Sequence, residues 1–302
     1  MREGIVLGLF ACGLTAAGCG VRIEGGQPTP DGQPTTDGPA VVVDATPDAA
    51  PLGPWGAPAL VAGAGTTLGE DDGSLSSNAN EMVFSIQDPN ANNTKDLWYM
   101  SRTSAAAAWS APVRLSFNVT GVSDETPRFS PDDLTLYFAS ARAGGLGGLD
   151  IYRVTRTATG PGAVWGTPQA VPGVSTTGTD KWFMPCSRNN TYLTILGNNI
   201  GEGTTGGAPA VSAQLSSTGT ETGTFLTPDC LTVYFASTRS GTNQIYVSTR
   251  GSLGATWSAP ALVTDFQALG GAQEDPWVSP DQRTFALVSN VRGSKDVYLS
   301  TR

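Results

Sequence analysis

Trp55-Gly-Ala-Pro58, Trp109-Ser-Ala-Pro112, Trp165-Gly-Thr-Pro168 and Trp257-Ser-Ala-Pro260 are one short motif written four times. The intervals are 54, 56 and 92 residues, and the last is twice 46, which predicts one further unit whose Trp has been lost. A period of this length marks a repeat architecture, in which each unit is a supersecondary block that buries its faces only against its neighbours.

A second motif precedes each Trp. It runs from Phe129-Ser-Pro-Asp-Asp-Leu-Thr-Leu-Tyr-Phe-Ala-Ser-Ala-Arg142 to Asp150-Ile-Tyr152, with Gly144-Gly145 between. It returns at Leu226 to Arg239 with Gln244-Ile-Tyr246, and at Val278 to Asn290 with Asp296-Val-Tyr298. Weaker copies are Asn80 to Ser85 with Asp96-Leu-Trp98, and Ser187 to Ile195, which lacks the later Asp-Ile-Tyr and the Trp. Five units result. In the best copy, Thr126 to Ser130 predicts one strand, closed by the turn residues Pro131-Asp132-Asp133. Leu134 to Ser140, rich in β-formers, predicts a second, Asp150 to Arg156 a third and Pro168 to Val171 a fourth.

Four-stranded units repeated in this way predict an all-β chain folded as a five-bladed β-propeller of four-stranded blades. After Tyr298-Leu-Ser-Thr-Arg302 a Trp-x-x-Pro strand is due, and the repeat region opens on that piece, Trp55 to Val61. The N-terminal strand is therefore expected to complete the last blade and close the ring.

The pattern Phe-Ser-Pro-Asp-x-x-Thr-Leu-Tyr-Phe-Ala-Ser-x-Arg, then Gly-Gly and Asp-Ile-Tyr, resembles the PD40 repeat, the WD40-like element of TolB-type propellers. The resemblance spans about residues 55–302. It implies the propeller fold and, by analogy with the use of a channel mouth in that family, a protein partner. The fold itself hosts many functions.

The chain opens Met1-Arg2-Glu3 and continues through an apolar run, Gly4 to Leu14, into small residues, which describes a secretory signal over residues 1–18. Ala16-Ala17-Gly18-Cys19 resembles a bacterial lipobox, which implies cleavage before Cys19 and lipidation of its thiol. Gly20 rather than Asp follows, so nothing signals inner-membrane retention, and an outer-membrane-anchored lipoprotein with a periplasmic or surface face is expected. Residues 19–53 are rich in Pro, Gly, Thr and Asp and read as a disordered tether; residues 54–302 are the propeller.

Composition narrows function further. The chain of 302 residues has no histidine, so Ser-His-Asp catalysis, Cys-His catalysis and His-ligated zinc are excluded. A formal net charge of −9 argues against nucleic acid, and the lack of a basic patch argues against direct binding to anionic lipid. Membrane contact is expected only through the lipid anchor.

Acidic residues recur just before each predicted inner strand: Asp71 and Asp72, Asp124 and Glu125, Asp180, Glu221, and Glu274 and Asp275. A closed ring is expected to gather them as a collar at one mouth of the channel. Three readings compete: a hard cation such as calcium on oxygen ligands, a basic segment of a partner drawn by the negative potential, or acids that only solvate loops and bond turn amides. No ligand set singles out a metal.

The repeated Trp residues read as packing between blades; Trp182 and Trp277 fall outside that series and are better ligand candidates than those four, with core packing the leading reading for both. Gly251 to Trp257 resembles a sialidase Asp-box with Ser252 in the Asp position. An Asp-box is structural, and no complete hydrolase signature is present. Cys186 and Cys230, 44 residues apart in an exported domain, invite one disulfide. The reading is thus a monomeric, non-enzymatic module of the cell envelope that binds a protein or an envelope glycan. The rival is a glycoside hydrolase on the same propeller, which needs two opposed carboxyl groups.

Overall fold

The computed structural model describes residues 52–64, 68–88 and 92–302. The signal segment, Cys19 and the tether up to residue 51 lie outside them. Five antiparallel four-stranded sheets are present, each ordered from the central channel outward. Blade 1 is β2 (Glu70–Leu75), β3 (Glu81–Asp88), β4 (Thr94–Ser101) and β5 (Val113–Arg114). Blade 2 is β6 (Asp124–Phe129), β7 (Thr135–Ser140), β8 (Asp150–Thr155) and β9 (Gln169–Ala170). Blade 3 is β10 (Asp180–Pro185), β11 (Thr191–Leu196), β12 (Asn199–Thr204) and β13 (Ala210–Val211). Blade 4 is β14 (Glu221–Leu226), β15 (Thr232–Ser237), β16 (Gln244–Thr249) and β17 (Ala261–Leu262). Blade 5 is β18 (Gln273–Val278), β19 (Thr284–Ser289) and β20 (Asp296–Thr301), completed by β1 (Ala59–Leu60).

The ring closes as the repeat phase predicts. Ala59 pairs with Leu299 and Leu60 with Tyr298, so the outermost strand of the last blade comes from the N-terminal end of the domain. Trp55 N–H adds a bond to Asp265, in a short 3-10 helix (Thr264–Leu269) before β18.

The turn between the first two strands explains the Ser/Thr-Pro-Asp signature. Pro presets the first turn position, and the Asp side chain accepts from the hydroxyl before it and from an amide beyond it, as Asp132 does from Ser130 and Leu134. The next residue sits in the left-handed region: Asp133, Cys230 and Gln282 have φ of 59°, 60° and 56°. Asp133 also reaches into blade 1, accepting from the amide and hydroxyl of Ser77. A turn residue thereby holds neighbouring blades together.

The repeated Trp does more than pack between blades. Each stacks on the Arg that follows the third strand of its own blade. The guanidinium carbons of Arg102, Arg156, Arg250 and Arg302 lie 4.6, 4.8, 4.3 and 3.9 Å from the rings of Trp109, Trp165, Trp257 and Trp55. Trp257 also donates from Nε1 to Glu202 of blade 3 at 2.7 Å. Blade 3 has neither partner, since Thr205 follows its third strand. Cys186, just after β10, and Cys230, in the β14–β15 turn, form a disulfide with Cα atoms 5.6 Å apart, which ties blade 3 to blade 4.

Trp257 is 6% exposed and joins two blades. Trp257→Ala is expected to destabilise the domain by about 3–5 kcal/mol, read as a lowered denaturant midpoint.

Candidate functional site

Every inner strand carries the same irregularity. Its pairing with the second strand slips after the second residue, at Asp71, Glu125, Lys181, Thr222 and Glu274. The third residue, Asp72, Thr126, Trp182, Gly223 or Asp275, has a φ of 60°, 53°, 49°, 60° or 50°. This is a β-bulge in the left-handed conformation, repeated five times around the channel. Strand alternation would send adjacent side chains to opposite faces. The bulge suspends that rule, so the second and third residues of a strand both serve the channel mouth.

The acids read from the sequence therefore divide by register. Asp124, Asp180 and Glu221 occupy first positions and turn into their own blades, each wholly buried. Asp124 accepts from Arg142 at 2.8 Å, Glu221 from Ser217, Ser237 and Arg239, and Asp180 from the amide and hydroxyl of Thr176. Burial raises the pKa of both Asp124 and Asp180 despite these partners. Arg142 and Arg239, a matched pair in the repeat, thus bind the first residue of the inner strand. These three acids are structural.

Asp71, Asp72, Glu125, Glu274 and Asp275 do gather at the mouth, and the chain supplies cations to meet them. Lys95, from β4, lies 2.8 Å from Asp71, 3.2 Å from Asp72 and 3.6 Å from Glu125. Lys181, from β10, lies 2.8 Å from Glu125. Lys295, just before β20, lies 2.9 Å from Asp71 and 2.6 Å from Glu274. The expected collar of bare carboxylates is instead a ring of alternating sign. Burial pushes the Asp71 pKa up, but Lys95 and Lys295 together outweigh it and hold this carboxyl well below the usual range. Burial likewise opposes the charge on Lys95, and Asp72, Asp71 and Glu125 overcome it.

Beneath the ring, two side chains cross the channel. Arg128 of β6 donates from Nε to the Thr224 carbonyl of blade 4, with Nη2 3.8 Å from Asp275 of blade 5. Trp182 of β10 donates from Nε1 to Asp275 at 2.6 Å. Arg128 and Asp275 are each 1% exposed. Burial lowers the Arg128 pKa and raises that of Asp275, which also feels the charges of Asp72 and Asp71. Both directions say that desolvation outweighs the attraction of the pair, the ordinary outcome for an imperfectly coupled buried ion pair.

Asp71, Glu274 and Asp275 offer carboxylate oxygens all within 4.8 Å of one another, the geometry in which oxygen ligands could hold calcium. The Lys295 ammonium already bonds two of the three. Two cavities flank this centre on the mouth face. One holds Asp71, Lys95 and Lys295; the other lies over blade 3 and includes Lys181, Trp182 and Thr222. The opposite mouth is a narrow apolar funnel built from the far ends of the inner strands, with Leu75, Phe129, Met184, Leu226 and Trp277 in its wall. Trp277 is 4% exposed there and packs 6.1 Å from the Phe225 ring.

No protein-family model matches the chain, and no curated protein matches it. Solved structures do. The catalytic domain of the GH62 α-L-arabinofuranosidase of Coprinopsis cinerea superposes with a TM-score of 0.53 at 12% identity, over 82% of this chain and 96% of that one. The endo-arabinase of Bacteroides thetaiotaomicron gives 0.53 at 9% identity, over 78% and 95%. A putative TolB of Agrobacterium tumefaciens gives 0.47 at 17% identity, over 74% and 71%. What these two enzymes share with this chain is its fold.

Asp275 gives the centre a defined pH response. Its folded pKa stands above the ordinary 3.8, so its contribution to stability is complete below that value and is lost as pH rises through the raised pKa. Asp275→Asn, which keeps an acceptor for Trp182, is expected to gain stability relative to the wild type between pH 4 and pH 8. Thermal melts across that range read the widening difference in Tm.

Proposed function

We propose that this chain is an envelope lipoprotein, anchored through Cys19, whose propeller is a non-catalytic module that docks a protein partner at the charged mouth. The observation that carries this reading is the ion ring itself. The side chains of Lys295, Lys181 and Lys95 are 39%, 24% and 21% exposed, whereas those of Asp71 and Glu125 are 9% exposed. The ammonium heads are what a partner meets first, and the carboxylates beneath hold them in place. Such a preorganised polar surface confers specificity on an incoming loop that presents carboxylates or carbonyls. The basic segment expected from the acid count alone fits this arrangement less well.

Glycoside hydrolysis asks for a pair of carboxyl groups open to the substrate. The mouth carboxylates are instead recessed and bound to lysines, and Asp275, whose raised pKa would suit a general acid, is sealed below them. This supports binding over catalysis.

Two measurements test the proposal. Cys19→Ser is expected to move the full-length protein from the membrane fraction to the soluble one. Lys295→Gln is expected to abolish capture of a partner that the wild-type protein retains from envelope extract, and Lys295→Arg to restore it. Equal capture by the wild type and Lys295→Gln would remove the docking site from this mouth.

A further inference from the structure

Blade 3 departs from the other four at the mouth, and the departures converge on one side chain. The loop joining the second and third strands has five residues in blade 1, nine in blade 2 and six each in blades 4 and 5. In blade 3 it has two, Gly197 and Asn198, with Gly197 at φ 59°. Glycine first in a two-residue connection is the requirement of a type II′ hairpin. The tight turn leaves less chain here than the longer loops of blades 2, 4 and 5. What is left is an open groove of about 480 Å³.

Trp182 lies in that groove at the bulge position, where the other blades have Asp72, Thr126, Gly223 and Asp275. A bulky aromatic residue in the left-handed region is an outlier that costs on the order of 1–3 kcal/mol and persists only where its surroundings enforce it. Here they do. The Trp182 amide donates to Thr126, its carbonyl accepts from Thr224, and its indole N–H is bound to Asp275. Blades 2, 4 and 5 thus fix one half-buried indole from blade 3.

The rest of the groove combines the apolar Ile195 and Leu196 with the hydroxyl and amide groups of Thr176, Thr179, Thr220 and Asn198. The one charged group, Lys181, is paired with Glu125 at 2.8 Å. A rigid aromatic plate beside apolar and hydroxyl groups, with the Lys181 ammonium 5.5 Å from its ring centre, matches a sugar ring, which offers a face of C–H groups rimmed by hydroxyls. An anionic glycan would have to compete with Glu125 for Lys181, whereas a neutral one leaves that ion pair intact.

We propose that the groove over blade 3 binds a neutral glycan, with one sugar ring stacked on the Trp182 indole. The site shares the mouth face with the docking surface proposed above and rests on the reading of that face as the binding face. It is separate from Lys295, which lines the other cavity.

The test is affinity electrophoresis of the full-length protein in gels containing xylan, arabinan, laminarin, galactomannan or pullulan. Intrinsic tryptophan fluorescence titrations with the matching oligosaccharides give affinities. The wild type is expected to be retarded by at least one of these glycans. Trp182→Ala and Asn198→Ala are each expected to weaken binding at least tenfold, with unchanged circular dichroism. Asn198 is exposed, so its variant reports on the groove should Trp182→Ala disturb the channel. Lys295→Gln is expected to keep glycan binding even where it loses the protein partner, which separates failure of the one proposal from failure of the other. No retardation by any of the five, or full affinity in both groove variants, overturns the inference.

Discussion

One residue of each inner strand takes a left-handed backbone conformation, and the centre of the molecule is assembled from those five residues. Only blade 4 uses glycine, at Gly223. Asp72, Thr126, Trp182 and Asp275 are held there against their own steric preference, since the flanking ladder bonds and cross-channel contacts leave no alternative. The bulge lets two consecutive side chains face one space. Asp71 and Asp72 consequently share Lys95, and Lys181 and Trp182 stand together. Without it, alternation would scatter these groups between the channel and the blade interior.

Charge at the mouth follows from that crowding. Five carboxylates in one small volume would repel strongly in a partly dehydrated setting. Three lysines and Arg128 are placed among them, and the lysines form the outer layer. The net charge of the chain, −9, therefore says little about the sign a partner encounters at this face. Below the ring the balance is less complete, and Asp275 accordingly has a raised pKa.

Blade 3 shows how a weak repeat can be informative. It lacks the Trp and Arg stack of its neighbours and is bound to blade 4 by the Cys186–Cys230 bridge. The same blade has the shortest loop on the mouth face and the only aromatic residue among the five bulge positions. Loss of the consensus and gain of an open, indole-floored groove occur together.

Blade number, strand order, the Ser/Thr-Pro-Asp turns and closure by the Trp55–Val61 segment were legible in the sequence, because each is a local pattern repeated at a constant period. The arginines that stack on the repeated Trp were also visible, as the Arg after Ser101, Thr155, Thr249 and Thr301, but the pairing shows only once β-strands bring Arg and Trp side by side. Recurrence placed the acids just before each inner strand, whereas they fall within its first three residues. It did not separate Asp124, Asp180 and Glu221, bound within their blades, from Glu125 and Asp275, because a one-residue difference in register reverses a side chain's direction and the bulge interrupts the count. Only the closed ring decided which charges meet: Lys95, Lys181 and Lys295 come from a third strand, an inner strand and a loop. Their encounter with the carboxylates is set by the curvature of five packed blades, which no local pattern of residues specifies.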